Sequence, residues 1–272
     1  MKLSSVVTLL TLLAAGVAQA QDEGAVVKKE RIERDKGLFV GGGISIAAGS
    51  NVGDYSTGLN FEGGFLKRMN RVFSIGGSVI YQQFKYDPTV LASKPDITGS
   101  DIPSNFYYND NFDQGFFLTL SGGDITMISA AGNLKINFVP VKDNSTISFY
   151  AFAKPFISYT SMSRITGVGE VYEFDGTDWN PTVVLTEQDG LAYEAQTATT
   201  GGIFIGPGLE INPAKSVSFF VQASFGYTFA VDVVSTRSYS NALSELVDTN
   251  FPVASVGFPS INFSAGVSFN ID

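Results

Sequence analysis

The 272-residue chain has no cysteine, no histidine and a single tryptophan. Without cysteine there is no disulfide framework, no thiolate metal site and no lipid-anchored cysteine behind an export signal. Without histidine the usual general base of a serine or cysteine nucleophile is missing, and imidazole metal sites are excluded. Cations are scarce: 17 Lys and Arg face 26 Asp and Glu, a formal net charge of −9, and no basic groove for nucleic acid is evident. No glycine-rich phosphate loop precedes a helix. Carboxylate pairs such as Asp175 and Asp178 lie in a polar loop, with no apolar pocket to raise their proton affinity. These absences argue against an enzyme, and the chain is expected to carry no catalytic residues, cofactor or metal.

Long apolar runs are also few. The one at the N-terminus, from about Val6 to Val17, follows Lys2 and ends in Ala18-Gln19-Ala20. It is too short for a helix of about 20 residues to span a bilayer, and it reads as a removable secretory signal over residues 1–20. Residues 21–36 mix charges of both signs and read as a solvated periplasmic tether.

From Gly37 to Asp272 the chain is rich in Gly, Ser, Phe, Tyr, Val and Ile, and it alternates. In residues 260–271, Ile261, Phe263, Ala265, Val267, Phe269 and Ile271 share one face and Ser260, Asn262, Ser264, Gly266, Ser268 and Asn270 the other. This is the period of a strand with one apolar and one polar face. Similar stretches are expected at about 38–48, 59–68, 72–86, 125–139, 147–160, 200–212 and 217–232. In the last of these, Val217, Phe219, Val221, Ala223, Phe225, Tyr227, Phe229 and Val231 form the apolar face. Each run has the roughly 9–11 residues that a tilted membrane strand needs.

The connections alternate short and long. Met69-Asn70, residues 140–145 and residues 213–216 are tight, whereas residues 49–58, 87–124, 161–199 and 233–259 are longer. That layout predicts an all-β, transmembrane, antiparallel up-and-down barrel of eight strands, with short periplasmic turns and long outer loops. Residues 115–120, 168–174, 182–186 and 191–193 read as strand extensions or hairpins above the membrane, with hairpin turns at Asp175-Gly176-Thr177-Asp178 and at Gln188-Asp189-Gly190; counting them in the wall gives ten strands instead. The outer loops are acidic, and the inner turns carry Lys67, Arg68, Arg71, Lys142 and Lys215.

On these residues the chain resembles the small bacterial outer-membrane β-barrels of the OmpA membrane domain, OmpX and OmpW type, and in texture the barrels of Bacteroidetes. The resemblance implies residence in the outer membrane of a Gram-negative bacterium. It also implies contact with outer-membrane lipid and lipopolysaccharide, and handling by the barrel-assembly machinery. The chain ends Phe269-Asn270-Ile271-Asp272, where many such barrels end on an aromatic residue.

An eight-stranded barrel is only wide enough for its interior to be filled by side chains. The polar faces place Glu62, Lys135, Lys154, Glu210 and Gln222 there, as a network centred on Glu62 and Lys135, each about seven residues from an inner turn. Phe106, Tyr107, Tyr108, Phe112 and Trp179 in the long loops are candidate contact residues for an extracellular or envelope protein. The functional expectation is a structural, surface-display or adhesion-type barrel. The alternatives are a narrow channel or a conduit for small hydrophobic solutes, and a docking subunit of an envelope complex.

Overall fold

The computed structural model describes residues 36–49, 55–86, 107–109, 114–138, 146–186, 192–212, 216–234 and 253–271. The expected signal at 1–20 and nearly all of the tether lie outside these residues, as do Phe106 and Phe112. The described residues are organised as strands: β1 (Lys36–Ala47), β2 (Gly58–Arg68), β3 (Phe73–Phe84), β4 (Tyr107–Asn109), β5 (Gln114–Gly122), β6 (Ile125–Asn137), β7 (Ile147–Met162), β8 (Ile165–Phe174), β9 (Trp179–Leu185), β10 (Ala192–Tyr193), β11 (Gln196–Ile211), β12 (Val217–Val234) and β13 (Val253–Ile271). β1 begins one residue before the expected boundary of the barrel.

Eight of these strands close on themselves in the order β1-β13-β12-β11-β7-β6-β3-β2, every neighbour antiparallel. The expected eight-stranded up-and-down barrel is therefore the observed one. The remaining five strands form a second sheet, β10-β8-β5-β4 with β9 also on β8. The two sheets are joined end to end along the chain. β6 pairs with β7 up to Ile125 and Met162, and β5 resumes the same ladder with β8 at Gly122 and Ile165. One long hairpin thus builds wall at its base and an outer sheet at its tip. The bend lies at Gly122 and Gly123, whose φ angles of 86° and 82° are left-handed and favour glycine. A Cβ on Gly122 would meet the Arg164 carbonyl oxygen at 1.9 Å, so glycine is also required by space.

The faces sort as the alternation requires. Leu59, Phe61 and Phe65 on β2, Phe149, Ile157 and Tyr159 on β7, and Phe263, Phe269 and Ile271 on β13 are exposed on the barrel exterior, while Asn60, Glu62, Ser158 and Asn262 are buried inside it. On β7 the apolar face runs from Phe149 to Tyr159. Ten residues at about 3.3 Å each, tilted by about 40°, give a belt of about 25 Å, the height expected of a membrane barrel. So wide a ring of exposed apolar side chains is tolerated only in lipid.

Two expectations are corrected. Val231 does not continue the lipid face. The β12–β13 register shifts between Thr228 and Val231, and this bulge turns Val231 and Val233 inward, where they are 1% and 0% exposed. The second concerns residues 182–193. The hairpin expected around Gln188-Asp189-Gly190 is not formed by β9 and β10, because both pair with β8, at Leu185–Gly169 and Ala192–Thr166. The hairpin around Asp175 is formed. Asp178 and Thr177 donate their backbone N–H groups to the Asp175 carboxylate at 2.9 Å, and β8 and β9 pair on either side.

Ile205 faces lipid and stands opposite Ala153, near the middle of the belt. Ile205→Arg is expected to destabilise the barrel by about 2–4 kcal/mol, the cost of a cation at the bilayer midplane, measured by urea unfolding in lipid vesicles. An unchanged midpoint would mean that this face does not contact lipid.

Candidate functional site: the barrel interior

The interior is stacked in levels, each built from inward positions on several strands. At the inner end Lys135 of β6 forms an ion pair with Glu210 of β11, and its ammonium group lies 4.1 Å from the centre of the Tyr150 ring. One level outward, Lys154 of β7 donates to Glu62 of β2 at 2.6 Å. Gln222 of β12 joins them, its amide nitrogen donating to Glu62 at 3.2 Å and to Ser264 at 3.1 Å, and its amide oxygen accepting from Lys154 at 3.4 Å. All five interior residues expected from the sequence therefore face the lumen.

Their pairing differs from the expected one. Glu62 does not meet Lys135. On β3, Glu62 stands opposite Ile80 and Lys135 stands opposite Ser74, six positions nearer the inner end. At about 3.3 Å per residue that is about 20 Å along the strand. Counting residues from a turn ignored the tilt of the strands. Following the ladder from Glu62 through Ile80 and Ser129 leads to Ser158 on β7, and Lys154 lies four residues inward of it. Following it from Lys135 through Phe152 leads to Gly206 on β11, and Glu210 again lies four residues inward. A stagger of this size is what tilt produces. For Glu62 and Lys154, three strand spacings of about 4.8 Å at about 40° shift equal heights by about 12 Å, or roughly four residues; for Lys135 and Glu210, two spacings give about 8 Å, or roughly two to three residues.

Aromatic rings share the interior with the charges, and glycines on the wall make room for them. Phe220 lies against Gly41 and Gly266, and Tyr150 against Gly208; a Cβ at these glycines would fall 2.2–2.8 Å from the ring atoms. Above the second ion pair, Phe156 and Phe204 stack at 4.5 Å between centroids and pack with Ile80 and Ala131.

Further out lies a neutral network that sequence reasoning missed. Ser45 donates to the Asn262 amide oxygen at 2.5 Å, Gln82 donates to the same oxygen at 2.8 Å, and Asn60 donates to Ser45 at 3.1 Å. Its signal was present, since all four residues occupy the polar phase of their strands. Without charge they looked no different from serines and asparagines facing water. Beyond them the outer end is apolar. Phe84, Ile125, Ile165, Val231, Val233 and Phe258 are at most 1% exposed, and Phe84 meets Phe258 edge-to-face at 4.9 Å.

Of the loop candidates, Tyr107 and Tyr108 lie in β4, at one end of the outer sheet, and Trp179 opens β9 at the other. On the same sheet Tyr172 donates to Glu170 at 2.6 Å.

A closed eight-stranded barrel with a lipid-facing belt and a polar interior is the architecture of a bacterial outer-membrane protein. No protein-family model matches the chain, and no curated protein matches it. Among solved structures it is similar to Neisserial surface protein A, with 12% identity, 87% of this chain and 97% of that chain covered, and a TM-score of 0.42. It is similar to the outer membrane protein OprG from Pseudomonas aeruginosa, at 10% identity, with 88% and 98% covered and a TM-score of 0.40. It is also similar to Ail, the attachment invasion locus protein of Yersinia pestis, at 11%, with 87% and 99% covered and a TM-score of 0.37. The assignment of the class rests on the closed ladder and the belt of this chain.

Both ends of the Glu62–Lys154 pair are buried, with 6% and 8% of the side chains exposed. Removing one partner strands a charge. Lys154→Ala is expected to cost about 3–5 kcal/mol, and replacing both residues by apolar ones of similar volume to recover most of it. A double-mutant cycle should show coupling between Glu62 and Lys154 and none between Glu62 and Lys135.

Burial, and then the hydrogen bond to Glu170, push the Tyr172 hydroxyl up to about 12. Its proton is held more tightly in the folded sheet than in the unfolded chain, whose tyrosines titrate near 10. The stability this gives is complete below about pH 10 and is lost as pH rises toward 12. Absorbance at alkaline pH should show a tyrosine titrating near 12 that is absent in Tyr172→Phe.

Proposed function

We propose that the protein is a surface-display barrel, an outer-membrane anchor whose filled lumen is structural and whose outer sheet contacts a partner outside the cell. The observation that carries this reading is the continuity of the β6–β7 wall hairpin into β5 and β8. It holds a five-stranded sheet clear of the belt as a rigid extension of the barrel. Val168, Val183 and Val184 on that sheet are 46%, 48% and 57% exposed, which suits contact with another surface better than isolation in water. The same sheet and its connections carry the acidic side chains Glu170, Glu173, Asp175, Asp178 and Glu194, which favour a partner with basic groups. As further partners the reading includes lipopolysaccharide around the belt and the machinery that inserts barrels.

The conduit reading is disfavoured by the apolar outer seal and by the ion pairs beneath it. Purified protein in planar bilayers is expected to give no stable single-channel steps; stable conductance would overturn the filled lumen. The contact role is tested on intact cells by proximity labelling, with the full chain and with a chain in which residues 170–185 are replaced by a short turn. Loss of specific extracellular neighbours, with heat-modifiable gel migration retained, supports the reading. Identical labelling profiles would refute it.

A further inference from the structure

The lipid face of the wall carries two cations side by side. Lys36 of β1 and Lys67 of β2 are directly opposed in the ladder, two positions inward of the opposed pair Leu38 and Phe65. They share the outward phase of Leu38 and Phe65, and all four are exposed. Exposed isoleucines continue the row on either side: Lys36 also stands opposite Ile271, and Lys67 opposite Ile75. Like charges set directly opposite on a sheet repel each other. Among the described residues neither lysine has an ion-pair partner, although the chain holds more carboxylates than cations. The pair sits at the inner end of the belt. There a lysine stem lies along apolar surface and puts its ammonium group at headgroup level.

A groove begins beside them. Phe65, two residues from Lys67 and about 7 Å away along the strand, borders an open depression of about 460 Å³ on the outside of β2, β3 and β6. Phe65 and Val79 are its bulky outward side chains, and Gly63, Gly77 and Ala130 are their outward neighbours. Packing does not require glycine here. A Cβ on Gly63 would come no closer than 3.9 Å to atoms beyond its chain neighbours, and one on Gly77 no closer than 3.5 Å. At the lumen-facing Gly208, by contrast, it would fall 2.2 Å from the Tyr150 ring. The two outward glycines keep a hollow clear in a face that is otherwise bulky and apolar.

We propose that this part of the wall is a binding site for an anionic phospholipid of the periplasmic leaflet. The headgroup phosphate lies between Lys36 and Lys67 and cancels their repulsion. One acyl chain runs from there past Phe65 into the groove over Gly63 and Gly77. Charge complementarity selects the headgroup, and the groove is continuous with the belt that lipid already covers.

The test is native mass spectrometry of the protein purified in detergent, titrated with phosphatidylglycerol or with phosphatidylcholine of the same acyl chains. Phosphatidylglycerol is expected to bind more tightly. Lys36→Gln and Lys67→Gln should each weaken it about fivefold, the worth of one lysine against an anionic lipid surface, and leave phosphatidylcholine unchanged. Gly63→Leu, at a position with room for a side chain, fills the groove and should weaken both lipids. Lys85→Gln, an exposed lysine beyond the outer end of β3, should alter neither. Heat-modifiable gel migration checks that each variant is a closed barrel. Equal affinity for the two lipids, unchanged affinity in the lysine variants or in Gly63→Leu, or an equal loss in Lys85→Gln would each overturn the proposal. Displacement of the lipid by glycerol phosphate, a headgroup without chains, would also overturn it. None of these outcomes bears on the outer sheet, so the display reading stands or falls separately.

Discussion

The structure depends on the ladder between its first and last strands. β1 and β13 pair over their whole common length, from Lys36 opposite Ile271 to Ala47 opposite Ser260. In lipid an open edge leaves a row of N–H and C=O groups with no water to bond, at several kcal/mol each. Closure removes both edges at once. Once the sheet is closed, its two faces have different solvents, and alternation along every strand follows. The tilt that closure requires sets which interior side chains share a height. The ion pairs, the aromatic stacks and the levels of the lumen are consequences of that one seam.

This dependence explains what could be read from the residues and what could not. Strand positions and faces are local properties. Ile261, Phe263 and Phe269 announce lipid, and Asn262 and Ser264 announce the interior, whatever the neighbouring strands do. The three short turns and four longer connections then settle the order. Depth is not local. Whether Glu62 meets Lys135 or Lys154 depends on the accumulated stagger of β2, β3, β6 and β7, and no single strand encodes it. The reversal of Val231 was hidden for a related reason. A bulge adds one residue without changing the composition, so the apolar pattern continued in sequence while the side chains changed sides. The Ser45–Asn60–Gln82–Asn262 network was visible only as polarity, because neutral groups carry no sign by which to find their partners.

The interior also divides the molecule's work. Its outer end is apolar and tightly packed, its middle is held by hydrogen bonds among neutral side chains, and its inner end is charged, aromatic and partly open. One buried and one part-buried ion pair are a poor way to gain stability, since desolvation offsets much of their attraction. They do favour one register among several, because a slip of two residues on either strand would separate both charges. In a barrel whose walls are repetitive Ser, Gly and Phe, such markers keep the strands from settling one pleat away.

The bend at Gly122 and Gly123 has a mechanical meaning. The outer sheet is not tethered to the barrel by flexible chain; β5 runs directly into β6, and β7 into β8. A pull on the sheet from outside therefore travels along the axes of two wall strands. The ladders to β3 and β11 bear it in shear, many hydrogen bonds loaded together, instead of opening one bond after another. Such a join resists tearing far better than a hinge or a linker, and it passes the load to the whole membrane-embedded cylinder.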